Sequence, residues 1–233
     1  MFNSLKSPSA IRLPISSSVM WRCVLTDCSR TNWVRFAAIC LASLSSPKLI
    51  DYIDQYADDA VEANKDFKRR LHIHPNPELE RRLDDKLAKS VLPEIEKVFY
   101  SQVTHRETYK ICRYSGENSG KFGKHRDTID PHLHRRYAMT LVLNDDYEGG
   151  GIAFPEYNSS VLEVPKYGAV IFPGSLFHQV NEIGAGNRYV IISFFFGDAE
   201  AREKEGSERY RFTVQRNLAG LSLNRLLPSQ SSE

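Results

Sequence analysis

Apolar positions along this chain change period once, near Tyr109. Upstream they recur every third or fourth residue; downstream they fall in short runs rich in β-branched and aromatic side chains. Leu49, Ile50, Ile53, Tyr56, Ala57, Ala60 and Val61 share one side of a helical wheel, with Asp51, Asp54, Asp58 and Asp59 opposite. That spacing predicts an amphipathic helix packed on something larger. Ser46-Pro47 supplies an N-cap and a proline at the first helical position. His72-Ile73-His74-Pro75-Asn76-Pro77 then breaks the pattern, and its two histidines read as surface residues. A second helix opens at Asn76-Pro77. Leu79, Leu83, Leu87, Val91, Leu92, Ile95, Val98 and Phe99 mark its buried side, and Pro93 should kink it or divide it in two. The mixed charges from Glu80 to Lys86 form a solvated face.

Downstream, strands are predicted at Tyr109 to Tyr114, Arg136 to Asn144, Gly151 to Phe154, Val161 to Val164, Ala169 to Phe172 and Arg188 to Phe196. Turn signals separate them, among them Ser115-Gly116, Asp145-Asp146, Gly149-Gly150-Gly151, Pro173-Gly174 and Gly184-Ala185-Gly186. Short strands in series after helices predict a mainly β architecture, an antiparallel sandwich or jelly roll with the N-terminal helices packed on one sheet. A charged helical piece (Asp198 to Glu205) and a fraying tail close the chain.

Bulk composition narrows this picture. A chain of 233 residues, 41% hydrophobic and 26% charged, is long enough for one substantial core. Its net charge of +2 is too small to argue for a nucleic-acid or membrane partner. The four cysteines, Cys23, Cys28, Cys40 and Cys112, do not form a disulfide framework, and no second Cys/His pair follows close by Cys23 and Cys28 to complete a zinc site. No apolar run approaches the roughly 20 residues that span a bilayer. Residues 1–50 hold ten serines, six Lys or Arg and one acidic residue, Asp27. That is the composition of an organellar transit peptide, and it also admits an added strand such as Trp21 to Thr26. The expected location is cytoplasmic, or mitochondrion or plastid if residues 1–45 are a transit peptide.

The candidate chemistry lies in the strand region. His125 and Asp127 are two apart, so on an extended segment they project from one face. His178 follows downstream in an apolar, strand-like context. Two histidines and a carboxylate on one face of a metal, with open positions opposite, are the ligand set of non-haem Fe(II) oxygenases. Arg188, on the next strand, can grip a carboxylate bidentately. Each residue alone also has a structural reading: a satisfied core histidine, a turn-capping aspartate, a strand-end arginine. Jointly, in this order, a metal site is the better account.

These residues sit within a longer resemblance. Tyr109 to Tyr114, Lys124-His125-Arg126-Asp127-Thr128, Arg136 to Asn144, Tyr147-Glu148-Gly149-Gly150, Pro165 to Phe172, His178-Gln179-Val180 and Asn187-Arg188-Tyr189 resemble the Fe(II)- and 2-oxoglutarate-dependent oxygenases, in the branch of the prolyl 4-hydroxylase catalytic domain. The resemblance implies a double-stranded β-helix (a distorted jelly roll) over residues 101–200, supporting helices over 46–100, an N-terminal extension over 1–45 and a C-terminal helix and tail over 201–233. It implies that His125, Asp127 and His178 ligate Fe(II), that Arg188 binds 2-oxoglutarate with Tyr114 as a second contact, and that O2 is co-substrate with ascorbate as reductant. A tyrosine that contacts 2-oxoglutarate in some relatives aligns with Val142. Arg126 should point away from the metal to an acid or to the loop after Asp127, and the loop from Asp130 to Arg135 should rim the mouth, its His132 and His134 facing substrate or solvent.

The implied activity is hydroxylation of a peptidyl or free amino-acid side chain, with a peptide or small molecule as partner. A nucleic-acid demethylase of the same superfamily is weaker, because Tyr189 to Phe196 lacks a further arginine. A non-catalytic sensor module on the same fold would be marked by loss of a ligand or of the anchor, and all four residues are present. A zinc protein would not require 2-oxoglutarate.

Overall fold

The computed structural model describes residues 10–12, 21–25, 34–40, 46–157, 160–203 and 210–211. Three strands come from the N-terminal segment: β1 (Ala10–Arg12), β2 (Trp21–Leu25) and β3 (Val34–Cys40). Helix α1 (Ser46–Gln55) follows, then a hairpin of β4 (Val61–Lys65) and β5 (Lys68–Ile73), and helices α2 (Pro77–Ser90) and α3 (Leu92–Phe99). The strands β6 (His105–Arg106), β7 (Lys110–Ser115), β8 (Lys121–His125), β9 (Tyr137–Val142) and β10 (Tyr147–Gly149) come next. Completing the chain are β11 (Ile152–Ala153), β12 (Val161–Glu163), β13 (Gly168–Pro173), β14 (His178–Val180), β15 (Ile183–Phe196), α4 (Asp198–Glu203) and β16 (Tyr210–Arg211).

The strands join edge to edge in the order β1-β12-β11-β14-β8-β5-β7-β15-β9-β13-β3-β2. Most neighbours are antiparallel, so the sheet can curl on itself and bury a second, inner face. Alternation along β15 sorts its side chains into two cores. Tyr189, Ile191 and Phe195 pack with Leu49 and Ile53 of α1, Leu83 and Leu87 of α2 and Ile95 of α3. Val190 and Phe194 point the other way, with Cys112, Val142, Phe154 and Phe172 inside the curl. The first core seats the helices on the sheet; the second closes the jelly roll. Each fully buried Leu, Ile or Phe contributes roughly 1.5–3 kcal/mol.

The helix boundaries follow local chemistry. Asn76 caps α2, its side chain accepting from the Leu79 N–H at 2.9 Å. Pro93 does divide the second helical stretch: α2 ends before Val91, and α3 restarts with proline in its first turn, where no amide donor is needed. The first helical stretch departs from its spacing. α1 stops at Gln55, and Val61 opens a strand with 57% of its surface exposed. The expectation of helices alone over 46–100 is therefore corrected by the β4–β5 hairpin. Its alternation is masked in sequence because the inward positions of β5 are Lys68 and Arg70, while Leu71 and Ile73 pack outward against the helix core. Pairing of β2 with β3, and of β3 with β13, gives the N-terminal segment a place in the sheet, as the added-strand reading of Trp21 to Thr26 has it. Apart from β1, β2 and β3, residues 1–45 lie outside the described residues, as does the tail after 211.

Two polar clamps hold the helices down. Arg106 is 1% exposed and forks onto Asp84 of α2 at 2.5 and 2.7 Å, with Tyr109 Oη donating to the same carboxylate at 2.6 Å. Asp84→Ala would take the forked carboxylate from that buried guanidinium, so urea unfolding should show a loss of about 3 kcal/mol. In the second clamp, Tyr189 Oη donates to Asp54 of α1 at 2.8 Å, and Arg113 joins at 2.8 Å. Burial, then the Asp54 carboxylate, pushes the Tyr189 phenol up to about 12. The neutral phenol is the form that bonds Asp54, and its folded value lies above the unfolded one of about 10. Its contribution is complete below pH 10 and lost as pH rises towards 12. Tyr189→Phe should be less stable at pH 8 and should lack this alkaline step in a pH series of melts.

Candidate metal centre and its cavity

His125 ends β8 and His178 begins β14, and antiparallel pairing sets the two directly opposite each other. Their ring centroids are 4.2 Å apart. Phe122 stacks on His125 at 3.6 Å, and Phe172 meets His178 edge-on at 4.7 Å, which fixes both rings. Asp127 lies just past β8, where the Gly174 carbonyl accepts from the Asp127 and Thr128 amides at 2.9 and 3.0 Å. A Cβ at Gly174 would sit 2.6 Å from Thr128 Oγ1, so this close approach requires glycine.

The carboxylate then faces both imidazoles: Oδ1 is 3.6 Å from His125 Nε2, and Oδ2 is 3.4 Å from His178 Nε2. The opposite ring nitrogens are committed. His125 Nδ1 is 2.8 Å from the Gly123 carbonyl and His178 Nδ1 is 3.0 Å from the Leu176 carbonyl. A carbonyl only accepts, so each Nδ1 carries the proton and each Nε2 presents a lone pair. The three donor atoms lie within 4.8 Å of one another, with Asp127 and His178 buried. Burial by itself would raise the Asp127 carboxyl, but the His125 and His178 rings beside it hold it below its ordinary value. Burial lowers His178, against the pull of Asp127. A pre-ionised carboxylate and oriented neutral imidazoles are what a ferrous ion needs, so this donor set fits it.

One cavity of about 350 Å³ takes in His125, Asp127, His178, Tyr114 and Arg188. Arg188 is 1% exposed, and its Nε and Nη1 have no hydrogen-bond partner. It stands opposite Tyr114 in the β7–β15 ladder, with its guanidinium 5.7 Å from the Tyr114 ring. Gly150 makes room for it: at φ +69°, a Cβ there would meet Ile183 Cδ1 at 2.3 Å and Arg188 Cδ at 2.8 Å. The triple glycine thus serves the bulge in the β10–β15 pairing, between Glu148 and Gly149, and clears space for the anchor.

Sequence reasoning missed Arg70. It reaches the same cavity from β5, is 7% exposed, and donates through Nη1 to Tyr114 Oη at 3.0 Å, leaving its Nε without a partner. The available signal was the alternation of Lys68, Arg70 and His72, legible only once that stretch is known to be a strand. Val142 is buried opposite Val190 and brings no polar atom. Arg126 meets an acid, Glu156, and the Ser175 carbonyl. His132 lines the cavity as the mouth reading has it. His134 does not face substrate or solvent: it is 6% exposed and sits 2.6 Å from Glu107. Glu107, His132 and His134 are within metal reach of one another, yet the Glu107 carboxylate is already bridged by Arg135 at 2.7 and 2.8 Å.

No protein-family model matches the chain. It is 25% identical over 187 residues to procollagen-lysine,2-oxoglutarate 5-dioxygenase 1 of Rattus norvegicus, an alignment covering 73% of this chain and 24% of that protein. A PKHD-type hydroxylase of Polaromonas sp. is 29% identical over 126 residues, covering 50% of this chain and 53% of the relative. The chain therefore spans about a quarter of the length of the first relative and about half of the second. Among solved structures, a prolyl hydroxylase of Trichoplax adhaerens, in complex with a hypoxia inducible factor oxygen degradation domain peptide fragment, has a TM-score of 0.59 at 14% identity. That match covers 73% of this chain and 87% of the other. A prolyl-4-hydroxylase of Pseudomonas putida has a TM-score of 0.55 at 14% identity, covering 70% of this chain and 92% of the other. The fold is the double-stranded β-helix with helices on one sheet, as in those prolyl hydroxylases, and in sequence the chain is similar to a 2-oxoglutarate dioxygenase and a PKHD-type hydroxylase.

Proposed function

We propose that this chain is an Fe(II)- and 2-oxoglutarate-dependent dioxygenase that hydroxylates a C–H bond on a peptidyl or free amino-acid side chain. The observation that carries the reading is the pairing, in one cavity, of an oriented His125–Asp127–His178 donor set with a buried guanidinium, Arg188, whose Nε and Nη1 have no partner. When bound, iron with 2-oxoglutarate and O2 supplies the oxidising chemistry, and ascorbate is the expected reductant that keeps iron ferrous.

The chain's own residues do the rest. His125 and His178 offer Nε2 because backbone carbonyls hold their Nδ1 protons, and Asp127 adds the compensating charge. Arg188 would bind the far carboxylate of 2-oxoglutarate with Tyr114 as a second contact, a role supported by the Arg70 hydrogen bond to Tyr114 Oη and by the Tyr114 ring beside the Arg188 guanidinium. Phe154, Phe172 and Val180 wall the inner end of the curl and exclude water. No helix among the described residues is long and apolar enough to cross a membrane.

The direct test needs no substrate. Under argon, Fe(II) followed by 2-oxoglutarate should give the visible charge-transfer band of the chelate, and His178→Ala should abolish it. Absence of the band in folded wild-type protein would favour a sensor module or another metal. Gly150→Ala supplies a finer check. Pressing on the Arg188 stem, it should raise the 2-oxoglutarate dissociation constant by roughly tenfold, the scale of one lost charge-assisted hydrogen bond, while metal titration stays unchanged.

A further inference from the structure

The charge lining the cavity exceeds what the proposed co-substrate and metal require. Six cationic side chains border it: Lys68, Arg70, Lys110, Arg126, Arg135 and Arg188. Arg126 is paired with Glu156 and Arg135 with Glu107. Doubly negative 2-oxoglutarate would balance Arg188 together with the single net charge of a ferrous ion bound to Asp127. Lys68, Arg70 and Lys110 remain, and none has a carboxylate in ion-pair reach among the described residues. Arg70 is buried and keeps an unpartnered Nε, with only the neutral Tyr114 hydroxyl on its Nη1. Lys68 rests over the Phe122 ring at 4.7 Å, and Lys110 lies 5.9 Å from the Phe194 ring.

Crowding like charges in a half-buried wall is unfavourable unless a ligand supplies the opposite charge. The crowding registers on the amines themselves: burial, then Arg70 and Lys110, lowers Lys68 to about 8. Burial and then Arg135 lower Lys110. All three residues reach the cavity from adjacent strands: β5 contributes Lys68 and Arg70, and β7 contributes Lys110. Lys68 and Arg70 lie against Phe122, whose ring stacks on His125, and Lys110 lies against Phe194, so all three line the cavity that holds the candidate metal centre.

We propose that the substrate is itself anionic, carrying a carboxylate or phosphate that seats against Lys68, Arg70 and Lys110 and so brings the carbon to be hydroxylated over the metal. This rests on the oxygenase reading and names its substrate class. It also sets a specificity rule: a neutral isostere of the correct substrate leaves the three cations unpaired and binds worse.

The test uses redox-silent Mn(II) with saturating 2-oxoglutarate and reads binding by calorimetry. The probes are acetylated tripeptides with a central proline or lysine flanked by glutamate, their glutamine counterparts, free glutamate against free glutamine, and inorganic phosphate. The acidic member should bind at least about tenfold more tightly than its neutral isostere, the scale of one charge-assisted contact. Preference confined to the tripeptides assigns the anion to a peptide residue; preference for free glutamate or phosphate assigns it to a small acid. Lys68→Met with Lys110→Met should erase the preference, and Lys68→Glu should reverse it. Equal binding of acidic and neutral probes, no binding of any, or a preference unmoved by these variants overturns the proposal. Titrating 2-oxoglutarate into wild-type Mn(II) protein separates the two readings. Binding there without discrimination overturns the anionic substrate alone, and no binding overturns the oxygenase reading with it.

Discussion

Asp127→Ala is expected to lose iron and all turnover while remaining folded. The carboxylate sits between the two imidazoles, 3.6 and 3.4 Å from their Nε2 atoms, and is the only acid lining the cavity among the described residues. Without it two neutral nitrogens face a dication with no charge to compensate it. Changing a residue that merely orients a ligand already costs roughly 10–100-fold in metal affinity, so loss of the ligand itself should exceed about 100-fold. The fold should survive, because the backbone of Asp127 is held through Gly174 and not through the side chain. Equilibrium dialysis with Fe(II) or Mn(II), beside a thermal melt, checks both halves. Wild-type metal affinity in the variant would remove Asp127 from the site.

Arg188→Ala carries the next largest effect, and it should fall on the co-substrate. Arg188 is buried opposite Tyr114 with two unpartnered nitrogens, poised for an anion. Truncating one partner of a buried charge pair costs about 2–5 kcal/mol, which is a weakening of 2-oxoglutarate binding of roughly 30-fold to several thousand-fold. Metal affinity should stay within about twofold, since Arg188 is not among the three donors. Arg188→Lys keeps the charge and loses the fork, so it should fall between wild type and alanine. Lost metal binding with unchanged 2-oxoglutarate affinity would reverse the roles assigned.

Much of the site was legible in the linear chain because its spacing is local or falls on strands with clear alternation. His-x-Asp puts two donors on one face by backbone geometry alone, and Arg188 lies on a β15 whose inward residues are otherwise apolar. Arg70 was not legible. Its strand hides its period, since the inward residues are cations and the helical spacing of the preceding segment runs on through Val61. Only pairing of β5 with both β7 and β8 shows which way those cations point. His134 misled for the opposite reason: a polar loop residue reads as surface, and its burial depends on Glu107, a partner distant in sequence.

What the sequence by itself determined is the change from helices to strands near Tyr109, the division of the second helical stretch at Pro93, the jelly-roll class and a candidate donor set. The first three follow from residue type and short-range spacing, and the last from reading His-x-Asp together with a distant histidine and arginine. Tertiary structure decided the rest: the register that sets His178 against His125, the space Gly150 clears for Arg188, and the convergence of Lys68, Arg70 and Lys110 on one cavity. These depend on which strands become neighbours when the sheet curls. That choice is made by burial of two opposite faces at once, and no local stretch of the chain encodes it.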